Sequence, residues 1–387
     1  MTKKQHVATP STNAIKIQPV QNPKDLNRFI EVPWSIYQND DLWVPPLKSE
    51  RRLHLSPKNP YFAHARWQAW IAYLGDRPVG RISAQIDDLY LQRYDQPTGF
   101  FGLLESIDDP SVFSLLLEAA ESWLRDQGIE TIQGPFNLSI NQECGLLIEG
   151  FDKPPVFMMP HNPPYYARQL EALNYSKAKD LLAFLIDAQI PPPEAGVNLS
   201  RKAAQEMHVR PLKRSRLKEE FELLRDIFND AWADNWGFVP FTKEEFQEIG
   251  STLRFVIDDD FVQIAEYQGE AVGMIIAMPD LNQLIRDLNG KLFPLGWLKL
   301  LWRWKTAYPN MGRVPLMGVR SRYRNNLIGA AIAYLLIESL RQPVVRKGIK
   351  QMELSWILED NQRIRGVIES LGGRCYKRYR IYQKSLT

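Results

Sequence analysis

The sequence predicts an α/β chain built from two copies of one unit. Three observations carry this. From Ala14 the pattern reads strand, helix, hairpin, strand, helix, strand, helix, strand, and from Met207 it reads the same way again. The joint between them, "AQIPPPEAGVNLSRKAA", is rich in proline and small residues and reads as a linker. The length of 387 residues suits two domains, and 44% hydrophobic residues suffice for two ordinary cores. On this reading residues 1–14 are a disordered tail, 15–188 a first domain, 189–205 a linker and 206–387 a second domain.

The first copy opens with the strand "AIKIQPV" and a helix, "PKDLNRFIEVPWSIY", interrupted by proline. "WQAWIAYLGDRPVGRISAQI" gives two strands turning at Gly75-Asp76. After the strand "TGFFGLLES", Asp109 caps a helix, Pro110 suits its first turn and Gly128 ends it. Phe113, Leu116, Ala120 and Trp123 share one face of that helix. "IETIQGPF", "PPYYARQLEALNY" and "AKDLLAFLI" complete the unit as strand, helix and strand.

The second copy starts with "MHVRPL". Leu217, Phe221, Leu224, Phe228 and Ala231 then form an apolar helical stripe. Thr242 and Glu245 make a capping box for a second helix, and a hairpin turns at Gln268-Gly269. "RVPLMGVRS" is a strand, followed by a basic loop and a long helix, then the strand "QMELSWIL". "NQRIRGVIESLGG" is a helix ending at glycine, and "CYKRYRIYQK" is the last strand. Its arginine face could meet an anion or could be the wet side of an edge strand.

Composition narrows the function. Two cysteines, Cys144 and Cys375, exclude a disulfide framework and a cysteine-rich zinc site, and five scattered histidines show no metal-ligand spacing. No metal is expected. A net charge of +3 is small for this length, so nucleic acid is an improbable partner. The N-terminus has no apolar core of a secretory signal, and no run of about 18 apolar residues suggests a transmembrane helix. The expectation is a soluble, cytoplasmic protein.

The most informative stretch is "MGVRSRYRNNLIGAAIAYLL". It places a basic loop between a strand and a helix N-terminus, where unpaired N–H groups and a partial positive charge favour anions. With the order of elements, it resembles the GNAT superfamily of acyl-CoA-dependent N-acyltransferases, present in tandem. The family's pyrophosphate loop, Arg/Gln-x-x-Gly-x-Gly/Ala, aligns with Arg324, Asn325, Asn326, Leu327, Ile328 and Gly329. Arg324 and Gly329 match, and Leu327 replaces the first glycine. Asn361, Leu371 and Gly372 keep a second family pattern. The resemblance implies for each copy a mixed, mostly antiparallel sheet flanked by helices. It also implies acetyl-CoA or another acyl-CoA as donor and a small-molecule or peptide amine as acceptor, with acetyl transfer the first expectation. Backbone N–H groups at Gly318 and Val319 would polarise the thioester carbonyl. The tyrosine that often protonates the leaving thiolate falls at Ile368, so that acid is missing. The altered glycine and missing tyrosine leave open a catalytically inactive metabolite- or partner-binding protein, or a tandem transferase using another donor.

Catalytic candidates are Glu353, a carboxylate inside an otherwise apolar strand, and Asn361, a cap or a polar contact to the donor. The bland alternative for Glu353 is a strand-edge carboxylate paired with an arginine. Glu359 and Asp360 are expected to cap the following helix. In the first copy the equivalent loop, "SIDDPS", puts Asp108 and Asp109 where a diphosphate would sit, so that copy reads as degenerate. The long stretch after its fifth strand carries Asn137, Asn141 and Glu143, either a substrate site or an inter-domain packing loop. Residues 282–305 form an apolar, aromatic insertion sprinkled with basic residues. Packing or a lid is the favoured reading, with membrane-surface contact third. Oligomeric state is not legible.

Overall fold

The computed structural model describes residues 14–387 apart from Arg254 and Asn325. Period-two runs of aromatic and branched residues become the strands. In the first half these are β1 (Ile15–Pro19), β2 (Ala65–Leu74), β3 (Arg77–Asp87), β4 (Thr98–Ser106), β5 (Thr131–Gly134), the short β6 (Phe136–Asn137), β7 (Glu143–Cys144) and β8 (Leu146–Glu149), and β9 (Ser176–Asp187). The second half supplies β10 (Met207–Pro211), β11 (Val262–Tyr267), β12 (Glu270–Pro279), β13 (Met311–Val319), β14 (Gln351–Leu358) and β15 (Arg374–Ser385).

The halves share one continuous sheet in the order β1-β2-β3-β4-β5-β15-β9-β14-β13-β12-β11-β10, with β8 also on β15. β1 to β5 and β10 to β14 mirror each other, and the final strands are exchanged. β9 pairs antiparallel with β14, and β15 pairs antiparallel with β5. The last strand is therefore interior, not an edge: Arg378 and Arg380 both reach Asp180 on β9. Among the described residues the parallel pairs are β4–β5 and β13–β14, so the sheet is mixed and mostly antiparallel, as expected.

Local signals resolve as their chemistry requires. Asp109 accepts from the Ser111 N–H, and Thr242 and Glu245 form the reciprocal capping box. Gln268 and Gly269 turn their hairpin at φ 52° and 82°. Phe113, Leu116, Ala120 and Leu124 bury one face of Pro110–Asp126 against β2 and β3. In the second half Leu327–Arg346 is long and apolar enough to cross a membrane by length and composition, although Glu338 and Arg341 interrupt its apolar run. Here Ile332, Leu335, Leu336, Leu340 and Val344 bury it against the sheet. The joint is no open tether. Glu194–Ala203 folds as a helix on Leu327–Arg346, because the small residues Gly196, Ser200 and Ala203 recur at helical spacing behind the prolines and let it lie close.

A charged contact ties the halves away from the shared strands. His64 meets Asp87 at 3.0 Å and Glu245, on the helix Lys243–Leu253, at 3.3 Å. Burial pushes the His64 pKa down, but the two carboxylates outweigh burial and raise it to about 10.

Candidate active site

β13 and β14 are the scaffold. They pair from Met311↔Gln351 to Val314↔Leu354 and then part. Pro315 comes next and offers no N–H to continue the ladder. Opposite it, the β14–β9 register shifts between Leu354 and Ile357. Pro315 and Leu316 on one strand, and Trp356 and Leu358 on the other, line a cavity of about 230 Å³. The stripe of Leu217, Phe221, Leu224 and Phe228 forms another wall, joined by Phe246 and Ile249 from the next helix. The predicted helical stripe thus faces an apolar space as well as packed core. Asn141 and Cys144 reach it from the first half. Burial pushes the Cys144 thiol up to about 12, which leaves it protonated and unreactive.

Two arginines line the cavity, the partly exposed Arg214 and the buried Arg313. Arg313 lines the cavity with its side chain only 1% exposed, and its β13 position pairs with Glu353 of β14, which is fully buried. Arg313 Nε donates to Ser355 Oγ at 3.0 Å and lies 3.7 Å from Glu353 Oε1. Ser355 in turn donates to that carboxylate oxygen at 2.6 Å, and the Tyr376 hydroxyl donates to the other. Arg313 Nη1 reaches the carbonyls of Phe157 and Met158, and the guanidinium lies 4.6 Å from the Trp356 ring centre. Among the described residues Nη2 has no hydrogen-bond partner. Burial holds the Arg313 pKa below the usual guanidinium value, Glu353 acting against it. Nearby, burial raises Asp280 to about 7 and pulls Lys377 down to about 8.

Glu353 is therefore neither at a strand edge nor on the cavity wall; both its oxygens are occupied behind Arg313. Among the described residues none of the cavity-lining side chains is a carboxylate or a histidine. Arg313, Ser355, Trp356 and Tyr376 were missed in the sequence reading. Arg313 carried a signal, since "MGRVPLMGV" places one charge in an apolar strand just as "QMELSWIL" does.

The loop before Leu327–Arg346 is folded onto its own surroundings. Asn326 is the N-cap and accepts from the Gly329 N–H at 3.0 Å. Leu327 occupies the first helical position and is 82% exposed, so a glycine's left-handed conformation is not needed there. Ile328 packs against the helix-side core. A Cβ on Gly329 would lie 2.0 Å from the Tyr323 carbonyl oxygen, so close packing within the loop explains this glycine without any ligand. Arg320 bonds Asp226 at 2.6 Å, Arg322 pairs with Glu270, and Arg324 bonds the Ala231 carbonyl and meets Asp234 at 3.3 Å. Asn325 lies outside the described residues. Gly318 backs onto the Trp232 ring, 2.3 Å from where its Cβ would be, and Val319 pairs with Gly273.

The other candidates take structural places. Asn361 accepts from the Ile364 N–H at 3.2 Å and caps Gln362–Ser370, which leaves Glu359 and Asp360 out of the capping role expected of them. Instead Glu359 pairs with Lys177 and Asp360 with Lys179, because β9 lies beside β14. Ile368 is buried. In the first half β4 and β5 also part after Phe100 and Gln133, but the chain itself fills that gap. A Cβ on Gly102 would lie 1.7 Å from the Phe136 carbonyl oxygen, and Asn137 accepts from the Leu103 N–H at 2.8 Å. Asn137 also donates to Glu143, which pairs with Arg51 at 3.3 Å. Asn141 is the one of that trio on the cavity, where it donates to the Val239 carbonyl at 2.9 Å.

Comparison with known proteins gives the context. The sequence matches no family model. It is 49% identical to Protein YghO of Escherichia coli, over 94% of this chain and 94% of that one. It is 42% identical to the bacterial ceramide synthase of Caulobacter vibrioides, over 97% and 99% of the two chains. Among solved structures, a tandem GNAT protein from the clavulanic acid biosynthesis pathway superposes with a TM-score of 0.56 over 97% of this chain and 99% of that one. At 13% identity that likeness is one of fold.

Proposed function

This chain belongs to the family of Protein YghO and the bacterial ceramide synthase and has the tandem GNAT fold, and on that premise we propose that it joins a long-chain acyl group to the amine of a long-chain amino alcohol. The observation that carries the proposal is the apolar cavity at the parting of β13 and β14, closed at its inner wall by Arg313. An acetyl group would leave most of this space unfilled, whereas a hydrocarbon chain gains about 0.8 kcal/mol per buried methylene. The name of the Caulobacter relative fits the same chemistry, since a ceramide is the amide of such an amine.

Acyl-CoA would supply the activated thioester, with Arg324 and the start of Leu327–Arg346 toward its diphosphate. The fit is reasonable: the acids that hold the loop's arginines are more than half exposed, and such surface pairs are weak enough to exchange for phosphate. In the reaction the amine nitrogen bonds to the carbonyl carbon, the carbon–sulfur bond breaks, and the amine proton is released as the thiolate is protonated. Arg313 presents Nη2 to the charge that develops on the carbonyl oxygen. Glu353, Ser355 and Tyr376 are positioning residues that hold the guanidinium in place. With no carboxylate or histidine on the cavity wall, the amine must arrive neutral or lose its proton to water.

The test is a matrix of donors from acetyl- to palmitoyl-CoA against sphinganine and a short amine, read by free thiol release and by mass of the amide. Amide formation that rises steeply with chain length in at least one substrate is expected. Equal efficiency with acetyl-CoA and a short amine would refute the proposal.

A further inference from the structure

The insertion between β12 and β13 does not pack as a closed unit. Its helix Gly296–Thr306 turns Leu300 and Trp304 toward Val44, Leu284, Ile285 and Leu288. The opposite side stays bare: Leu301 is 54% exposed and Trp302 63%, beside Trp297 and Leu298. At 100° per residue these four span an arc of roughly 140°. The preceding turn extends the patch with Phe293 and Leu295, both more than two-thirds exposed. Scattered exposed leucines need no explanation; six large apolar side chains on one helix and its approach do.

The unpaired charges around the patch have one sign. Gly296–Thr306 contains no acidic residue. Lys291 and Lys305 are exposed and make no ion pair among the described residues. Asp287 pairs with Lys299 and Arg303, and Arg303 also donates to the Leu284 carbonyl at 2.7 Å. Those bonds fix the helix on its inner side and hold the apolar arc outward.

We propose that this face docks on an anionic bilayer surface, with Trp297, Leu298, Leu301 and Trp302 in the headgroup–acyl boundary and Lys291 and Lys305 over the lipid phosphates. A second copy of the chain fits less well, because a two-fold interface would bring the uncompensated lysines together. The surface is independent of the catalytic reading, and its test requires no turnover. It would give a protein acting on lipid amines direct access to a membrane-dissolved substrate.

The full chain is sedimented with vesicles of phosphatidylethanolamine and phosphatidylglycerol, and with vesicles of phosphatidylcholine alone. Binding to the anionic vesicles that weakens with salt is expected, with at least about a tenfold loss of partitioning in L298E/W302E. K291E/K305E keeps the apolar face and should lose the preference for anionic lipid, so the test survives if the first variant misfolds; circular dichroism checks both. No binding by the parent chain would overturn the proposal. So would unchanged binding by both variants, or a dimer in ultracentrifugation that L298E/W302E dissociates.

Discussion

Arg313 and Glu353 face each other in register on two parallel strands, and the buried pair matters less for its attraction than for what each would be without the other. Removing one partner of such a pair leaves a charge with no water around it. Glu353→Gln is expected to cost about 3–5 kcal/mol in urea unfolding. Arg313→Lys keeps a positive charge but loses the planar fork that reaches Ser355 and the Phe157 and Met158 carbonyls. It should lower kcat by about a hundredfold with little change in the KM for donor. An unchanged kcat would remove Arg313 from the chemistry.

At the scale of elements, the apolar cavity comes from two strands that stop pairing and two helices that do not fill the gap. The stripe of Leu217–Ala231 was legible from spacing, but spacing cannot tell a stripe that meets a core from one that meets a cavity. Leu217 lines the cavity from the first turn of its helix, three residues after Arg214, which lines it too. Leu217→Trp should therefore shorten the longest chain the protein accepts while leaving turnover of shorter chains intact; an unchanged chain-length profile would place the substrate chain elsewhere. The pyrophosphate loop shows the reverse limit. Its arginines were visible in the sequence, whereas Asp226, Asp230 and Asp234, which hold the loop, lie about ninety positions away and became its neighbours through folding.

Over the whole molecule, the exchange of β9 and β15 makes each half depend on the other. Expressed alone, residues 14–188 would expose the paired edges of β5 and β9, and each half is expected to aggregate or remain unfolded. Calorimetry of the intact chain should give one cooperative transition; two separable transitions would contradict a shared sheet. His64 adds a pH dependence to this coupling. Its pKa is about 10 folded against 6.5 unfolded, so the folded state binds the extra proton between these values. The stabilisation is complete below pH 6.5 and lost as pH rises toward 10. His64→Gln should flatten that part of the melting-temperature profile, and an equally steep profile in the variant would exclude His64 as its source.

Read alone, the chain specified its elements, caps, turns and duplicated order, because those depend on residues a few positions apart. It also marked Glu353 as unusual and the loop before Leu327–Arg346 as basic. The strand exchange, the plugging of the first-half gap by Phe136 and Asn137, and the meeting of Arg313 with Met158 and of Glu353 with Tyr376 belong to folding. They join residues separated by tens to hundreds of positions, and no local periodicity records which of several compatible strands will pair. The same holds for 282–305: its pattern favoured packing or a lid over a membrane surface, and the bare outer face of Gly296–Thr306, on which the membrane proposal rests, became visible only in the fold.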